Sequence, residues 1–393
     1  MRKAWIAAVV LAVSACGPED DSSQIEAVDT GIEIPVATPG AQAHLRTGEL
    51  KVMTQNLYIG AEVAPILISP VEQTPLLVAE AFSQIQATSF PLRARELARE
   101  IKAAAPDLIG LQEAELILVQ SPGDLLSGSS APATEIVYDY LEILLDELDR
   151  LGLCYEPAVI GVQTDIELPA ATSTGYDDIR LVDRDVILAR CGVQTSRPRA
   201  RHFKVNLVVP VGGLGSPVAW VPIVRGWQEV DARIGLRTFR FVNTHLEPAV
   251  LPQVGAIQLA QAKQLLIELA DERLPMVLVG DFNSAADGST TKTYTLLTHS
   301  GFMDAWRLAR EDDPGYTCCQ APDLQNPESL LNRRIDFVFV RDWYDFWLDW
   351  KQGGVSAEVV SDERMAGDIL WPSDHAGTVA SFRIFARPRL VHR

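Results

Sequence analysis

Met276-Val277-Leu278-Val279-Gly280-Asp281-Phe282-Asn283 is an apolar run that ends abruptly in glycine, an acid, an aromatic and an amide. A short, β-branched run bounded by glycine reads as a strand buried on both faces, of the kind found in sheets covered on both sides. The same handover recurs along the chain. Asn56 closes Lys51-Val52-Met53-Thr54-Gln55, Gln112-Glu113 closes Leu108-Ile109-Gly110-Leu111, and Asn243-Thr244-His245 follows Phe241-Val242. Ser373-Asp374-His375 follows a turn at Pro372. Each motif has an ordinary explanation taken singly: a turn amide, a helix cap, a half-buried histidine. Five in one chain point to strand ends that gather distant residues into one cleft. Carboxylates and amides there can hold a hard cation through oxygen and leave imidazole for proton transfer.

Strands are expected at 50–57, 108–112, 185–189, 238–244, 276–280 and 335–340, with a hairpin from 205–211 to 218–224 across Gly212-Gly213. Three helices alternate with them. Ala94, Leu97, Ala98, Ile101 and Ala105 stripe the first; Val137, Tyr140, Leu141, Leu144, Leu145, Leu148 and Leu151 the second; Leu259, Ala262, Leu266 and Leu269 the third. Interleaved helices and hairpins imply an α/β domain with mixed sheets. The 393 residues are 47% hydrophobic and 22% charged, which excludes a disordered chain. A formal net charge of −18 disfavours charge-driven adhesion to nucleic acid or anionic lipid. It leaves room for a phosphate-handling enzyme, because a divalent metal can supply the local positive charge.

The ordered set Gln55-Asn56, Gln112-Glu113, Asn243-Thr244-His245-Leu246, Gly280-Asp281-Phe282-Asn283, Arg334-Ile335-Asp336 and Ser373-Asp374-His375 resembles the endonuclease/exonuclease/phosphatase superfamily. The resemblance implies a four-layer α/β/β/α sandwich of two mixed β-sheets flanked by helices. It implies phosphate-ester hydrolysis with Mg²⁺ or Mn²⁺, most simply of a phosphodiester in nucleic acid or a lipid headgroup. Phosphomonoester cleavage and a non-catalytic binding or adhesion module are the alternatives. By the same resemblance Glu113 is the principal metal ligand, with Asn56 and Asp374 beside it. His375 is the base, Asp336 orients it, and Asp281 orients or deprotonates the water. Asn283 holds water and phosphate, while His245 and Asn243 donate to phosphate oxygens. Asp183-Arg184-Asp185 reads equally as a solvated turn or a site segment, and Trp220 and Trp227, with the apolar hairpin around them, read as packing in preference to a lipid-insertion device. The stretches 60–91, 121–134 and 196–226 look like insertions that would shape substrate choice.

Residues 1–15 read as a signal peptide: Arg2 and Lys3, an apolar run, then Val13-Ser14-Ala15-Cys16, which resembles a bacterial lipobox with Cys16 as the acylated residue. Residues 16–46 read as a tether and 47–390 as a single catalytic domain, a monomer held at the cell envelope through its lipid, on the periplasmic face or the outer membrane. In that oxidising setting Cys154 and Cys191 are expected to bridge neighbouring strands. Cys318 and Cys319 are adjacent, and a bond between neighbours is strained, which leaves them free or paired less obviously.

Overall fold

A computed structural model describes residues 48–128, 131–211, 219–235, 237–249, 252–341, 354–361 and 370–384. The signal, Cys16, the tether and the Gly212-Gly213 turn lie outside these residues. The chain opens with β1 (Glu49–Asn56), helices α1 (Ala64–Ile68), α2 (Thr74–Ala87) and α3 (Phe90–Ala104), then β2 (Leu108–Gln112), β3 (Leu116–Gln120) and β4 (Glu135–Asp139). Helix α4 (Tyr140–Arg150) leads to β5 (Tyr155–Thr172), β6 (Gly175–Arg190), β7 (Gln194–His202), β8 (Leu207–Val211) and β9 (Ala219–Ile223). Next come β10 (Gly226–Ile234), β11 (Arg237–His245), α5 (Pro252–Glu268), β12 (Met276–Asp281), α6 (Thr293–His299), β13 (Met303–Asp304) and α7 (Ala305–Ala309). The last are β14 (Asp336–Arg341), β15 (Val355–Val360) and β16 (Gly377–Arg383).

One sheet runs β15-β16-β1-β2-β6-β3-β4, with β5 also paired to β6; the other runs β13-β14-β12-β11-β10-β7. Each is mixed: β1 with β2 and β11 with β12 are parallel, and their other neighbours antiparallel. Three apolar layers follow from strand alternation, because successive side chains point to opposite faces. Leu50 and Val52 of β1 face Val230, Phe239, Phe241, Val277 and Val338 between the sheets. Met53 on the opposite face of β1, with Ile109 and Leu111, packs under Phe90, Leu97, Ile101, Leu144 and Leu148. Val242 and Leu278 pack under Leu265, Leu269 and Leu297. The result is the expected four layers.

Differences from the sequence reading are local. Val137 sits in β4, and the second helix starts three residues later because Asp139 caps it, accepting from the amides of Leu141 and Glu142. The expected short strand at 185–189 is the end of a ribbon of 18 and 16 residues. Cys154 and Cys191 flank that ribbon and are joined by a disulfide, Cα–Cα 5.4 Å. Cys318 and Cys319 are joined to each other. Residues 64–87 of the first insertion form α1 and α2, with α2 lying against β5. Trp227 is buried beside Phe203, their ring centroids 5.1 Å apart, as packing requires. Trp220 is instead 58% exposed on β9.

Candidate active site

Strand ends at one edge of both sheets carry the polar motifs. Pairing of β11 with β12 puts His245 opposite Asp281, and pairing of β12 with β14 puts Asp281 opposite Asp336. Gly280 makes this approach possible: with φ 145°, a Cβ on it would stand 1.9 Å from the Thr244 carbonyl oxygen. In the other sheet, Asn56 is in register with Gln112. Tyr58, Glu113 and Asn283 then turn the chain with φ of 60°, 54° and 50°. Left-handed backbone at non-glycine residues costs about 1–3 kcal/mol each and concentrates at functional sites. The Ser373 hydroxyl donates to the Asn56 carbonyl at 2.7 Å, which fixes the last motif to the first.

Asp281 Oδ2 is the hub of the cluster. It accepts from Asn56 Nδ2 and Asn283 Nδ2, each at 3.3 Å, and lies 3.4 Å from His245 Nε2 and 3.9 Å from His375 Nε2. His375 Nδ1 donates to Asp336 Oδ2 at 2.9 Å, so Nε2 is the nitrogen that faces the hub. Burial alone would depress the His375 ring; the fields of Asp336, Asp374 and Asp281, with the hydrogen bond to Asp336, raise it well above its usual range. Asp281 is pushed up to about 7, by burial first and then by Asp336.

Glu113 accepts from Asn56 Nδ2 at 3.0 Å and from the Ile59 amide at 2.7 Å. Asp374 is raised to about 7, chiefly by burial, with Glu113 and Asp336 adding to it against His375 and Arg93, and its buried Oδ1 has no hydrogen-bond partner. A buried carboxyl that neighbouring acids help to raise, with an unpartnered oxygen, fits a hard divalent cation, which Glu113 and Asp374 would hold. Asn56 does not fit the ligand role expected of it. Its Oδ1 accepts from the Tyr58 amide at 2.9 Å, so it turns nitrogen toward both acids and positions them.

Asn243 is a second correction. It is wholly buried between the sheets, where Nδ2 donates to Leu111 O and Gln228 Oε1 and Oδ1 accepts from Gln112 Nε2 at 2.7 Å. A fully satisfied amide two residues short of the strand end has no donor left for phosphate. His245 on the same face reaches the site.

Several contributors escaped the sequence reading. Arg225 NH1 donates to His245 Nδ1 at 2.8 Å and pairs with Asp183 at 3.2 Å. That bond makes Nδ1 an acceptor, so the proton sits on Nε2; burial, then Arg225 and His375, hold the ring well below its usual pKa. The segment Asp183-Arg184-Asp185 is buried, which overturns the solvated-turn alternative. Arg184 bonds Asp139 at 2.6 Å, and Asp185 Oδ1 lies 4.0 Å from His245 Nδ1. Arg93 is buried on α3 and donates to the carbonyls of Leu57, Tyr58, Thr88 and Pro372 at 2.6–3.0 Å. One guanidinium thus ties the loop after Asn56 to the loop before Asp374. Arg93→Met strands these buried acceptors and is expected to cost about 3–5 kcal/mol in denaturant unfolding. A loss within about 0.5 kcal/mol, the surface norm, would contradict this role.

The acids behind the site set a pH dependence. Burial pushes Asp183 up to about 6 and Glu247 to about 7, and lifts Glu115 and Asp185 well above the carboxylate range. These groups bind protons in the fold where the unfolded chain, with carboxylate pKa about 4, has lost them. Stability is therefore full below pH ~4 on their account and falls as pH rises to about 7. His375 and Asp281 act in the same sense, and His245, held neutral, opposes them near its ordinary value. Melting temperature of chelator-treated protein should decline across this window; a steady rise would refute the assignment.

Residues 81–375 match the model of the Endonuclease/Exonuclease/phosphatase family. No curated protein matches the chain. An endonuclease/exonuclease/phosphatase from Beutenbergia cavernae DSM 12333 superposes with TM-score 0.50 at 22% identity, covering 87% of this chain and 73% of that one. A family protein from Bacteroides thetaiotaomicron gives TM-score 0.49 at 15% identity, covering 86% and 98%. A mannosyl-6-phosphatase from Bacteroides thetaiotaomicron VPI-5482 gives 0.47 at 15%, covering 85% and 99%. With the family model spanning most of the chain, this protein belongs to the Endonuclease/Exonuclease/phosphatase family, hydrolases that act on phosphoester bonds.

Proposed function

We propose that the protein is a metal-dependent phosphodiesterase, acting on nucleic acid or on a lipid headgroup at the cell envelope, to which the residues before the domain anchor it as a lipoprotein. A monomer with residues 47–390 as one catalytic domain suffices for this chemistry. The observation that carries the reading is the linked series Asp336–His375, Asp281 and Asn56–Glu113, in which a base, its orienting acid and an acidic cation seat share one cluster at the sheet edge.

Asp336 holds the His375 ring with Nδ1 protonated, so Nε2 takes the proton of the attacking water. Asp281 Oδ2, 3.9 Å away, accepts that water's other hydrogen and aims its lone pair at phosphorus. Neutral His245 donates Nε2–H to a non-bridging oxygen as charge accumulates there. Asn283, whose amide donates to Leu246 O at 3.0 Å and Asp281 Oδ2 at 3.3 Å, holds the carboxylate that orients the water. Glu113 and Asp374 would hold a divalent cation, Mg²⁺ or Mn²⁺, which would supply charge to screen the acids around His375 and to polarise the phosphoryl oxygen. Arg93 and Arg225 touch none of the reacting atoms; they set the positions of the groups that do.

Parallel assays with plasmid DNA, sphingomyelin, bis-p-nitrophenyl phosphate and p-nitrophenyl phosphate test the reading. Metal-stimulated cleavage of at least one diester, faster than of the monoester, is expected. Metal-stimulated phosphate release from the monoester alone would replace this reading with a phosphomonoesterase. Stoichiometric Mg²⁺ binding in calorimetry with no turnover of any ester would mark a binding module.

A further inference from the structure

Beside the catalytic histidine lies a pair of cysteines for which the hydrolytic chemistry has no use. Cys318 pairs with His375 in an antiparallel bridge, the Ala376 amide donates to the Thr317 carbonyl at 2.8 Å, and the Gln320 amide donates to the Asp374 carbonyl at 2.9 Å. The segment 317–320 is thus hydrogen-bonded along the residues that carry Asp374 and His375. Thr317 also accepts, through its hydroxyl, from the amides of Ile335 and Asp336 at 3.1 and 3.2 Å. Both Sγ atoms and a ring nitrogen of His375 lie within 4.8 Å of one another, with Cys318 and His375 buried and Cys319 half-buried. Two thiolates and an imidazole are the donors a thiophilic divalent cation such as Zn²⁺ or Cd²⁺ prefers, unlike the oxygen donors of Glu113 and Asp374.

We propose that Cys318, Cys319 and His375 form a second, redox-gated metal site, closed while the two sulfurs are bonded to each other and open to Zn²⁺ or Cd²⁺ once they are reduced. A dithiol reductant opens it by exchange: the Sγ–Sγ bond breaks, each sulfur gains one electron and one proton, and the reductant becomes its own disulfide. Binding then releases the two thiol protons, and the ring that serves as base is drawn to the soft cation. The consequence for turnover rests on the role proposed above for His375; the metal site itself does not. An oxidising envelope keeps the pair bonded and the centre available.

The test uses the full chain with and without prior reduction, in excess Mg²⁺. Cadmium titration of the reduced protein is followed by the ultraviolet thiolate-to-cadmium charge-transfer band and by diester cleavage. The wild type and the Cys154→Ser, Cys191→Ser variant should each take up cadmium at this pair, and lose activity in step with the band. The Cys318→Ser, Cys319→Ser variant should lose that part of the band and the cadmium sensitivity measured against its own metal-free rate. Should that variant fail to fold, His375→Gln gives the second reading, with cadmium affinity lowered at least about tenfold. Equal bands in the wild type and the Cys318→Ser, Cys319→Ser variant, or equal bands in the oxidised and reduced protein, would each overturn the proposal, whereas a band without inhibition of an active enzyme would overturn the base role of His375 and leave the metal site standing. If no ester is cleaved under any condition, the assigned function falls while the band alone still decides the metal site.

Discussion

Replacing His375 with alanine lowers kcat about 10²- to 10⁴-fold, the usual contribution of a positioned general base. The size of the effect follows from the geometry. His375 Nδ1 is committed to Asp336, Nε2 faces the hub at Asp281, and His245 cannot substitute because Arg225 occupies its Nδ1 and its Nε2 carries the proton. Folding should survive, since the imidazole contributes one hydrogen bond and little apolar area. The orphaned Asp336 carboxylate costs about 1–3 kcal/mol, which denaturant unfolding will register. Asp336→Asn is the finer probe. An asparagine can accept from Nδ1–H as well, but without the charge it stops lifting the ring, so the acid limb of the pH–rate profile should move to lower pH. An unmoved profile would separate Asp336 from the base, and a near-wild-type rate in His375→Ala would remove His375 from the mechanism.

Glu113→Gln is expected to weaken Mg²⁺ and Mn²⁺ binding more than about a hundredfold, beyond the range seen for outer-shell partners of metal ligands, with turnover lost at ordinary metal concentration. Gln keeps the shape of the side chain and can still accept from the Ile59 amide. Its own amide nitrogen, however, meets Asn56 Nδ2 where a carboxylate oxygen had accepted. Two donors face each other, and the negative charge that draws the cation is gone. Chelation of the wild type should match the variant, and excess Mn²⁺ should rescue the wild type fully and the variant in part. Metal titration by calorimetry beside steady-state kinetics separates the two effects. Unchanged metal affinity in Glu113→Gln would move the cation elsewhere.

The site was legible where an apolar strand gives way to polar residues, because that boundary marks the sheet edge whatever the fold. Met276 to Asn283 and Leu108 to Glu113 both show it. Asn243 was misplaced for want of a second coordinate. Two residues before His245 on the same face means about 7 Å deeper between the sheets, and only knowledge of the opposing sheet shows what fills that depth. The long ribbon of β5 and β6 was invisible past residue 185 because Asp177, Asp178, Arg180 and Asp183 break the apolar pattern that announces a strand. Arg93 did leave a trace. It stands four residues before Leu97 and eight before Ile101, on the buried face of α3, so the stripe itself placed a charge inside. Arg225 left none, since a charged residue before a strand reads as solvent-facing until β10 is known to pair with the strand that carries His245.

Crystals of the wild-type domain grown with Mn²⁺ offer the most direct check, through the anomalous difference map. A single strong peak at the Glu113 and Asp374 carboxylates, within direct ligand distance of at least one Glu113 oxygen, is the predicted result. Manganese bound only elsewhere on the molecule, with this cluster empty while the same preparation cleaves a phosphodiester, would contradict it.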